Sequence, residues 1–486
     1  MTLTATTAGS VELIDGAALY EYAPQTTDPI YWVQFLSEAL TNRYQTHRRF
    51  DDYYRGEHQL PGGLPIASMR AHYRRLLRES RSNWAELIVD AVNERLRVEG
   101  FRFSGNEQAD LDIWQSVWQA NSLDARSDEV HVESLVWSYA YAIVWPDETG
   151  AVKITAEHPA EVICYAPAQD RHNVMIALKR WCDDWGYWHA TLYTPTYIFK
   201  FVCAKPSNQA PRQPSMWDQR PVPNEPWPLP NPFGQVPVIE FPNNPRLLTG
   251  GRSELGGGQL DIIDRINETV FNRLLAAQFA AFRQKWVTGM EIPRDKETGR
   301  PVEPFKVAVD RLWMSENPDA KFGEFSEATL QNYIASAESD IQALASISRT
   351  PSYYLLPHGP MPSGEALKAA ETGLVAKVRR RQRFFGESWE QMVRLALLMQ
   401  GDPRASDTSC ETIWADPESR SDAQTADALV KLAQVGVPAE MLWERAGFSP
   451  QQIARMRAQR ADEALLFGAQ QLQPTPIPVP PAAPTQ

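Results

Sequence analysis

The chain has 486 residues, 43% of them hydrophobic and 22% charged, enough for several domains with ample core. Its net charge of −12 excludes a tight, sequence-independent DNA binder, which would neutralise phosphates with clustered Lys and Arg, but not a surface that DNA slides past. The four cysteines (164, 182, 203 and 410) form no CxxC pair or zinc spacing, residues 1–10 lack a charged segment followed by an apolar one, and no 18-residue apolar run occurs. These features predict a soluble protein made in a cytoplasm, with reduced thiols and no metal, cofactor or membrane span.

Residues 1–27 are small, polar and irregular, and read as an arm. Trp32, Phe35, Leu36, Leu40 and Tyr44 predict an amphipathic helix over 31–50, ended by Gly56 and then by Pro61-Gly62-Gly63. Ser82-Asn83 opens a second helix with Trp84, Leu87, Ile88, Ala91, Val92 and Leu96 on one face, expected to end near Gly100. Helices over 110–119 and 125–138 follow. The period then changes. Segments 139–145, 152–156, 162–165, 174–181, 188–193 and 197–202 are short, β-branched and aromatic, which predicts an antiparallel sheet with a hairpin turn at Asp147-Glu148-Thr149-Gly150. Prolines at 206, 211, 214, 221, 223, 226, 228, 230 and 232 make 204–235 an extended connection, and 236–241 reads as one more strand.

Helical periodicity dominates from there. No proline falls between Ser253 and Trp286, and Leu260, Ile263, Ile266, Val270 and Leu274 form one apolar stripe. Phe271, Leu275, Phe279 and Phe282 form a second stripe partly around the same helix. A helix of about 33 residues would be about 50 Å long. Leu330, Ile334, Ala337, Ile341 and Leu344 give a second helix, over 327–348, a narrow seam suited to packing along another long helix. The insert 287–325 contains prolines 293, 301, 304 and 318. The loop 349–363 is too rich in proline for helix or strand, and a third long helix runs over 364–400. Shorter helices over 422–434, 439–446 and 450–466 precede a proline-rich tail, 473–486, expected to be disordered. The fold class is therefore α+β.

No stretch carries a catalytic motif. The glycine-rich run 250–258 lacks the Gly-Lys-Ser/Thr ending of a phosphate loop and reads as a joint into a helix, and Ser253 lies in no GxSxG elbow. The histidines at 47, 58, 72, 131, 158, 172, 189 and 358 show no HExxH pattern, and Asp183 and Asp184, adjacent on a turn, do not face one substrate. Two surfaces remain as candidates. Lys377, Arg379, Arg380, Arg381 and Arg383 spread around a helix, as a solvated or inter-subunit ion-pair face or as a contact to a nucleic-acid backbone. The loop residues Arg349, Tyr353, Tyr354, Leu355, Leu356 and His358 form either an interaction site or a loop packed on its own subunit. Residues 441–456, with Gly447 in the turn and Arg455, Arg457 and Arg460 following, resemble a helix-turn-helix. The alternative function is therefore a nucleic-acid-binding protein of that type.

Several segments together resemble one family. They are Tyr53-Tyr54-Arg55-Gly56-Glu57-His58, the run 82–101, Gly234-Gln235-Val236-Pro237-Val238-Ile239-Glu240-Phe241-Pro242-Asn243, Gly251-Arg252-Ser253-Glu254-Leu255, Ile347-Ser348-Arg349-Thr350-Pro351 and Pro362-Ser363-Gly364-Glu365-Ala366-Leu367. In this order and spacing the chain resembles the siphovirus-type portal proteins of tailed phages, particularly those of actinobacteria. The resemblance implies a homo-oligomeric ring, dodecameric in the capsid, at one vertex of the virion head, with double-stranded DNA passing transiently through its channel. It implies an N-terminal arm (1–27), an α+β wing (28–250), stem helices (251–286 and 326–348) and a clip (287–325). It further implies a tunnel loop (349–363), a long helix joining wing and crown (364–401), a helical crown (402–470) and a tail (471–486). Leu260, Ile263, Ile266, Val270, Phe271, Leu274, Ile334 and Ile341 would then pack stem against stem between subunits. The major capsid protein, scaffolding protein, terminase large subunit and a head-completion or adaptor protein would be partners. The motor ATPase would be the separate terminase, leaving this chain without catalytic residues. Its tunnel loop offers chiefly Arg349, His358 and two tyrosines, so apolar, steric contact with DNA is as well supported as charge contact.

Overall fold

The computed structural model describes residues 3–6, 10–13, 28–59, 71–103, 110–171, 173–281, 285–289, 319, 321–324, 329–356, 363–418 and 422–471. Within the segment expected to be irregular, β1 (Leu3–Thr6) and β2 (Ser10–Leu13) pair antiparallel. Helix α1 (Pro29–Tyr54) begins where Asp28 Oδ1 accepts the Ile30 N–H at 3.0 Å, and the chain leaves it through Gly56 at φ +66°. Helices α2 (Ala71–Glu79) and α3 (Trp84–Asn93) follow, and the first of these was not anticipated. The predicted run to Gly100 stops at Asn93, because Val98–Arg102 is instead a strand, β3, whose partner lies more than 300 residues later. Residues Leu111–Ile113, Trp114–Trp118 and Gln119–Asn121 form a helical stretch whose middle is π-wound, and α4 (Leu123–Trp137) succeeds it.

The sheet region agrees closely with the alternation of the sequence. Strands β4 (Tyr139–Pro146), β5 (Val152–Glu157), β6 (Val162–Tyr165), β7 (Ile176–Cys182), β8 (Trp188–Tyr193) and β9 (Tyr197–Cys203) appear, with Gly150 at φ +84° in the β4–β5 turn. The proline-rich connection is extended but not unpaired. Its short strands β10 (Trp217–Gln219) and β11 (Leu229–Pro230) both add to β9. Strand β12 (Val238–Pro242) pairs with β4. Two antiparallel sheets result, ordered β12-β4-β5 and β10-β9-β8-β7-β6.

Helix α5 (Gln259–Ala281) follows Gly257 and Gly258, both at positive φ. At about 35 Å it is shorter than its periodicity suggested. Lys285–Thr288, where aromatic and β-branched residues favour extended chain, is strand β13, paired antiparallel with β14 (Lys321–Glu324). The rest of the 287–325 insert lies outside the described residues. The remaining elements are α6 (Leu330–Ser348), a short α7 (Ser352–Leu355), α8 (Gly364–Gln400), β15 (Glu411–Trp414, paired with β3), α9 (Asp422–Gln434), α10 (Ala439–Arg445) and α11 (Pro450–Gln471). Among the described residues no helix is long and apolar enough to cross a membrane.

The chain divides into two compact units. The first unit comprises Met1–Arg48, Asp90–Glu254 and Val375–Gln486. In it, Trp32, Val33 and Leu36 of α1 pack on Ile176, Leu178, Ala190, Leu192 and Phe201 of the larger sheet. A second, aromatic core draws on six segments. The Trp389 ring of α8 lies 4.5 Å from Phe241 and 5.1 Å from Trp118, and its Nε1–H donates to His131 Nε2 at 3.0 Å. His131 stacks on Phe385 at 5.1 Å, and Phe101 and Trp414 close the nest. Burial holds the His131 pKa down at about 3, so its ring is neutral and Nε2 can accept. The second unit comprises Arg49–Val89 and Leu255–Leu374, with α5 packed along α6 and against α2.

Trp389→Ala should cost roughly 3–5 kcal/mol, because it removes the ring that meets Phe241, Trp118 and His131. Urea unfolding followed by near-UV circular dichroism measures this. A loss below about 1 kcal/mol would show that the nest is not the core of the first unit.

Candidate functional site

The loop following α6 is the first candidate, and part of it is helical. Arg349 is left-handed at φ +56° and caps α6, its N–H reaching Ala345 O. Pro351 stands immediately before α7, where a missing N–H costs nothing, and no proline falls within 352–355. The expectation that proline excludes helix throughout this loop therefore fails over one turn. Tyr353 Oη donates to Glu371 Oε1 at 2.6 Å, with Tyr354 Oη at 3.5 Å from the same oxygen. The two tyrosine rings meet edge to face at 4.8 Å. Burial, and then the bond to Glu371, push the Tyr353 hydroxyl well above its usual pKa, which keeps it a donor. Leu355 is buried, Leu356 is half-buried and Arg349 is exposed. His358 lies outside the described residues. Tyr353 and Tyr354 are thus tied to the first turns of α8 in their own chain.

The helix pair α5–α6 holds the residues expected between subunits. Leu260, Ile263, Ile266 and Ile341 are at most 7% exposed, so they belong to the core of their own chain rather than to a neighbour. The correction has a simple cause. An apolar stripe records only that a face is covered, and here the covering elements are α2 and α6. Val270, Phe271, Leu274 and Ile334 are half-buried and keep apolar surface.

Two of the segments that carried the family resemblance meet on α5. Tyr53 Oη donates to Asp264 Oδ1 at 2.5 Å, and Asn267 Nδ2–H donates to His58 Nε2 at 3.1 Å. Asn267 Oδ1 in turn accepts the Ser82 N–H at 3.0 Å. Tyr53 and His58 stack at 4.1 Å, and Arg81 donates to Gly56 O at 2.7 Å. Burial, reinforced by Arg81, lowers the His58 pKa to about 4. The sequence reading did not assign this polar clamp. Its signal is the presence of Asp264 and Asn267 beside the apolar stripe of α5.

The basic run on α8 divides. Arg379, Arg380 and Arg383 are exposed, and Arg379 pairs with Glu418 at 2.6 Å. Lys377 and Arg381 are buried, and both hold Glu254, at 2.8 and 2.5 Å. Asn243 Nδ2–H donates to the same carboxylate at 3.1 Å. Burial alone would raise the Glu254 pKa, but Lys377 and Arg381 outweigh it and hold it at about 2. These two cations are therefore corrected from surface contacts to internal ion-pair partners. The α10–α11 hairpin does have Gly447 in its turn, at φ +86°. However, Arg457 pairs with Glu440 and Arg460 lies over the Trp443 ring, which leaves a poor major-groove reader. Among the described residues no group of three His, Cys, Asp or Glu could hold a metal ion.

A family model described as phage portal protein, SPP1 Gp6-like, matches residues 33–464. The portal protein of Mycobacterium phage D29 is 28% identical over 462 residues, covering 91% of this chain and 90% of that protein. The portal protein of Mycobacterium phage L5 is 28% identical over 406 residues, covering 79% of each.

Two outcomes are expected at these sites. Tyr353→Phe should speed amide exchange across 352–356 by about tenfold or more, since a hydrogen bond to a charged group contributes roughly 1.5–3 kcal/mol, while the global melting temperature holds. Unchanged exchange would mean that Glu371 does not hold α7. Glu254→Gln should cost roughly 3–5 kcal/mol in chemical unfolding, since it leaves two buried cations without their anion. Because the folded pKa of Glu254 is depressed, its stabilisation is present above the ordinary carboxylate range and is lost as pH falls from about 4.5 toward 2. The variant should therefore show a flatter acid limb, and an acid limb as steep as that of the wild type would remove Glu254 from this role.

Proposed function

Because the chain belongs to the SPP1 Gp6-like phage portal proteins, we propose that it is the subunit of a ring at one vertex of a tailed-phage head, whose channel carries double-stranded DNA during packaging and ejection. The observation that carries this reading is the extent of the match. It begins in α1 and ends in α11, and the D29 relative aligns over nine-tenths of its own length. The family is structural, and the chain acts as a channel and a docking platform rather than as an enzyme.

In this reading α5 and α6 are the stem, and the β13–β14 pair leads into the clip at 287–325, where the terminase large subunit and later the head-completion protein dock. Residues 28–250 supply the wing toward the major capsid and scaffolding proteins, and 402–470 supply the crown. Val270, Phe271, Leu274 and Ile334 are the stem residues that meet the next subunit, because they retain uncovered apolar surface after α5 and α6 have packed together. Passage of DNA is favoured by the net charge of −12, which keeps a polyanion from sticking. Arg349 is the charged group of the tunnel loop that stays exposed, so contact with DNA there is brief and non-specific.

Negative-stain electron microscopy with light scattering tests this reading. Rings with a central hole and a mass near a dozen subunits of 54.9 kDa are expected. A compact dimer that shifts duplex DNA on a gel would overturn it in favour of a regulator.

A further inference from the structure

Helix α2 of the second unit runs against the charge of the chain. It reads Ala-His-Tyr-Arg-Arg-Leu-Leu-Arg-Glu, three arginines against one glutamate, in a protein of net charge −12. Its inner face is fixed. Leu76 and Leu77 are buried, and the helix packs on α5. Just past its end, Ser80 Oγ donates to Leu77 O at 2.8 Å, and Arg81 donates to Gly56 O at 2.7 Å. The Ser82 N–H donates to Asn267 Oδ1 at 3.0 Å. These fastenings hold α2 in one rotation, with Arg74, Arg75 and Arg78 exposed.

The three arginines are not equivalent. Arg75 is matched by Glu79 at 2.6 Å, the one acid on the helix. Arg55, on the segment before α2, is likewise matched, with Asp51, Asp52 and Glu57 at 3.0, 3.4 and 3.3 Å. Among the described residues no carboxylate pairs with Arg74 or Arg78. Exposed ion pairs stabilise a fold little, so two unmatched arginines cost little. What they add is a local positive field on an acidic protein. Positions 74 and 78 lie one turn apart on one face, with Cβ atoms about 5–6 Å apart. Each guanidinium offers a planar fork that takes two oxygens of one anion, which a lysine ammonium does not. A single carboxylate would satisfy one fork. A phosphate backbone repeats its charge at a regular interval and satisfies both.

We propose that Arg74 and Arg78 of α2 form a contact for the phosphate backbone of double-stranded DNA, in addition to Arg349. The contact is electrostatic and reads no sequence. Two phosphates make a weak hold, in keeping with a net charge that excludes tight binding. The choice of DNA as the polyanion rests on the portal reading above, and the inference adds to that reading a named DNA-facing surface.

The test measures fluorescence anisotropy of a labelled DNA duplex with the full-length protein over a series of sodium chloride concentrations. Arg74→Gln with Arg78→Gln should weaken low-salt binding at least about tenfold and reduce the steepness of log K against log salt by about 2. Arg74→Lys with Arg78→Lys keeps both charges and should recover most of the affinity, which separates a lost contact from a lost fold. Arg171→Gln with Arg212→Gln, at two exposed positions of the first unit, removes the same charge and should leave both readouts nearly unchanged. Wild-type protein with no affinity for the duplex, a glutamine pair that binds like wild type, or a control that falls equally would each overturn the contact while the portal reading stands. A glutamine pair that keeps its affinity for DNA but no longer forms rings in the electron microscope would assign α2 to a neighbouring subunit instead. A wild-type chain that forms no ring would overturn the portal reading, and the anisotropy series on that chain would still decide the contact.

Discussion

A single buried carboxylate governs the first unit. Glu254 has been taken out of water together with Lys377 and Arg381, and each of these charges alone would be prohibitive there. Its backbone N–H is also spoken for, by Leu135 O at 2.8 Å. The end of α4, the Asn243 turn, the approach to α5 and the middle of α8 are therefore held at one point by partners that cannot be exchanged for water. Such a network stabilises little by itself, but it penalises every arrangement that separates its members. The aromatic nest around Trp389 already resists a slide of α8, and the ion pairs resist it a second time. With two cations fixed four residues apart on one carboxylate, it has one register.

The same logic separates what the sequence could disclose from what it could not. Elements with strong internal period were readable. The six central strands, α1, α9 and α8 all fall close to their expected bounds, because alternation and the 3.6-residue repeat are local properties. Pairing across long separation was not readable. Strand β3 continues a helical-looking run and becomes extended only because Glu411–Trp414 returns to it. Nor does periodicity identify what covers a stripe. Ile263 and Val270 sit on one line of α5, yet the first is closed inside its own chain and the second is not. The basic run shows the same limit for charge. Lys377 and Arg379 are neighbours in composition and opposites in environment, and the acid that decides the matter is 123 residues upstream of Lys377.

The segments that carried the family resemblance gain physical content. The Tyr53–His58 segment and Ser82 reach α5 through hydrogen bonds. They place a phenol, an imidazole and a backbone amide around Asp264 and Asn267, and so give the first half of α5 polar fastenings on a helix whose other contacts are apolar. Apolar contacts tolerate rotation, whereas hydrogen bonds of fixed length do not. A helix whose other contacts are apolar keeps its azimuth through such fastenings, and this clamp supplies them.

The π-wound turn at Trp114–Trp118 has a consequence of another kind. It brings the two indoles into a stack at 5.4 Å, and Trp118 then meets Trp389. Wider winding accommodates a residue that a regular helix would not. Removing one residue there would let the turn relax to ordinary winding with the flanking residues still on their faces, whereas removal from a regular turn would rotate everything after it by about 100°. Insertions and deletions are usually absorbed by loops. Here a helical turn does so, and the aromatic core on either side of it keeps its faces through a change of one residue.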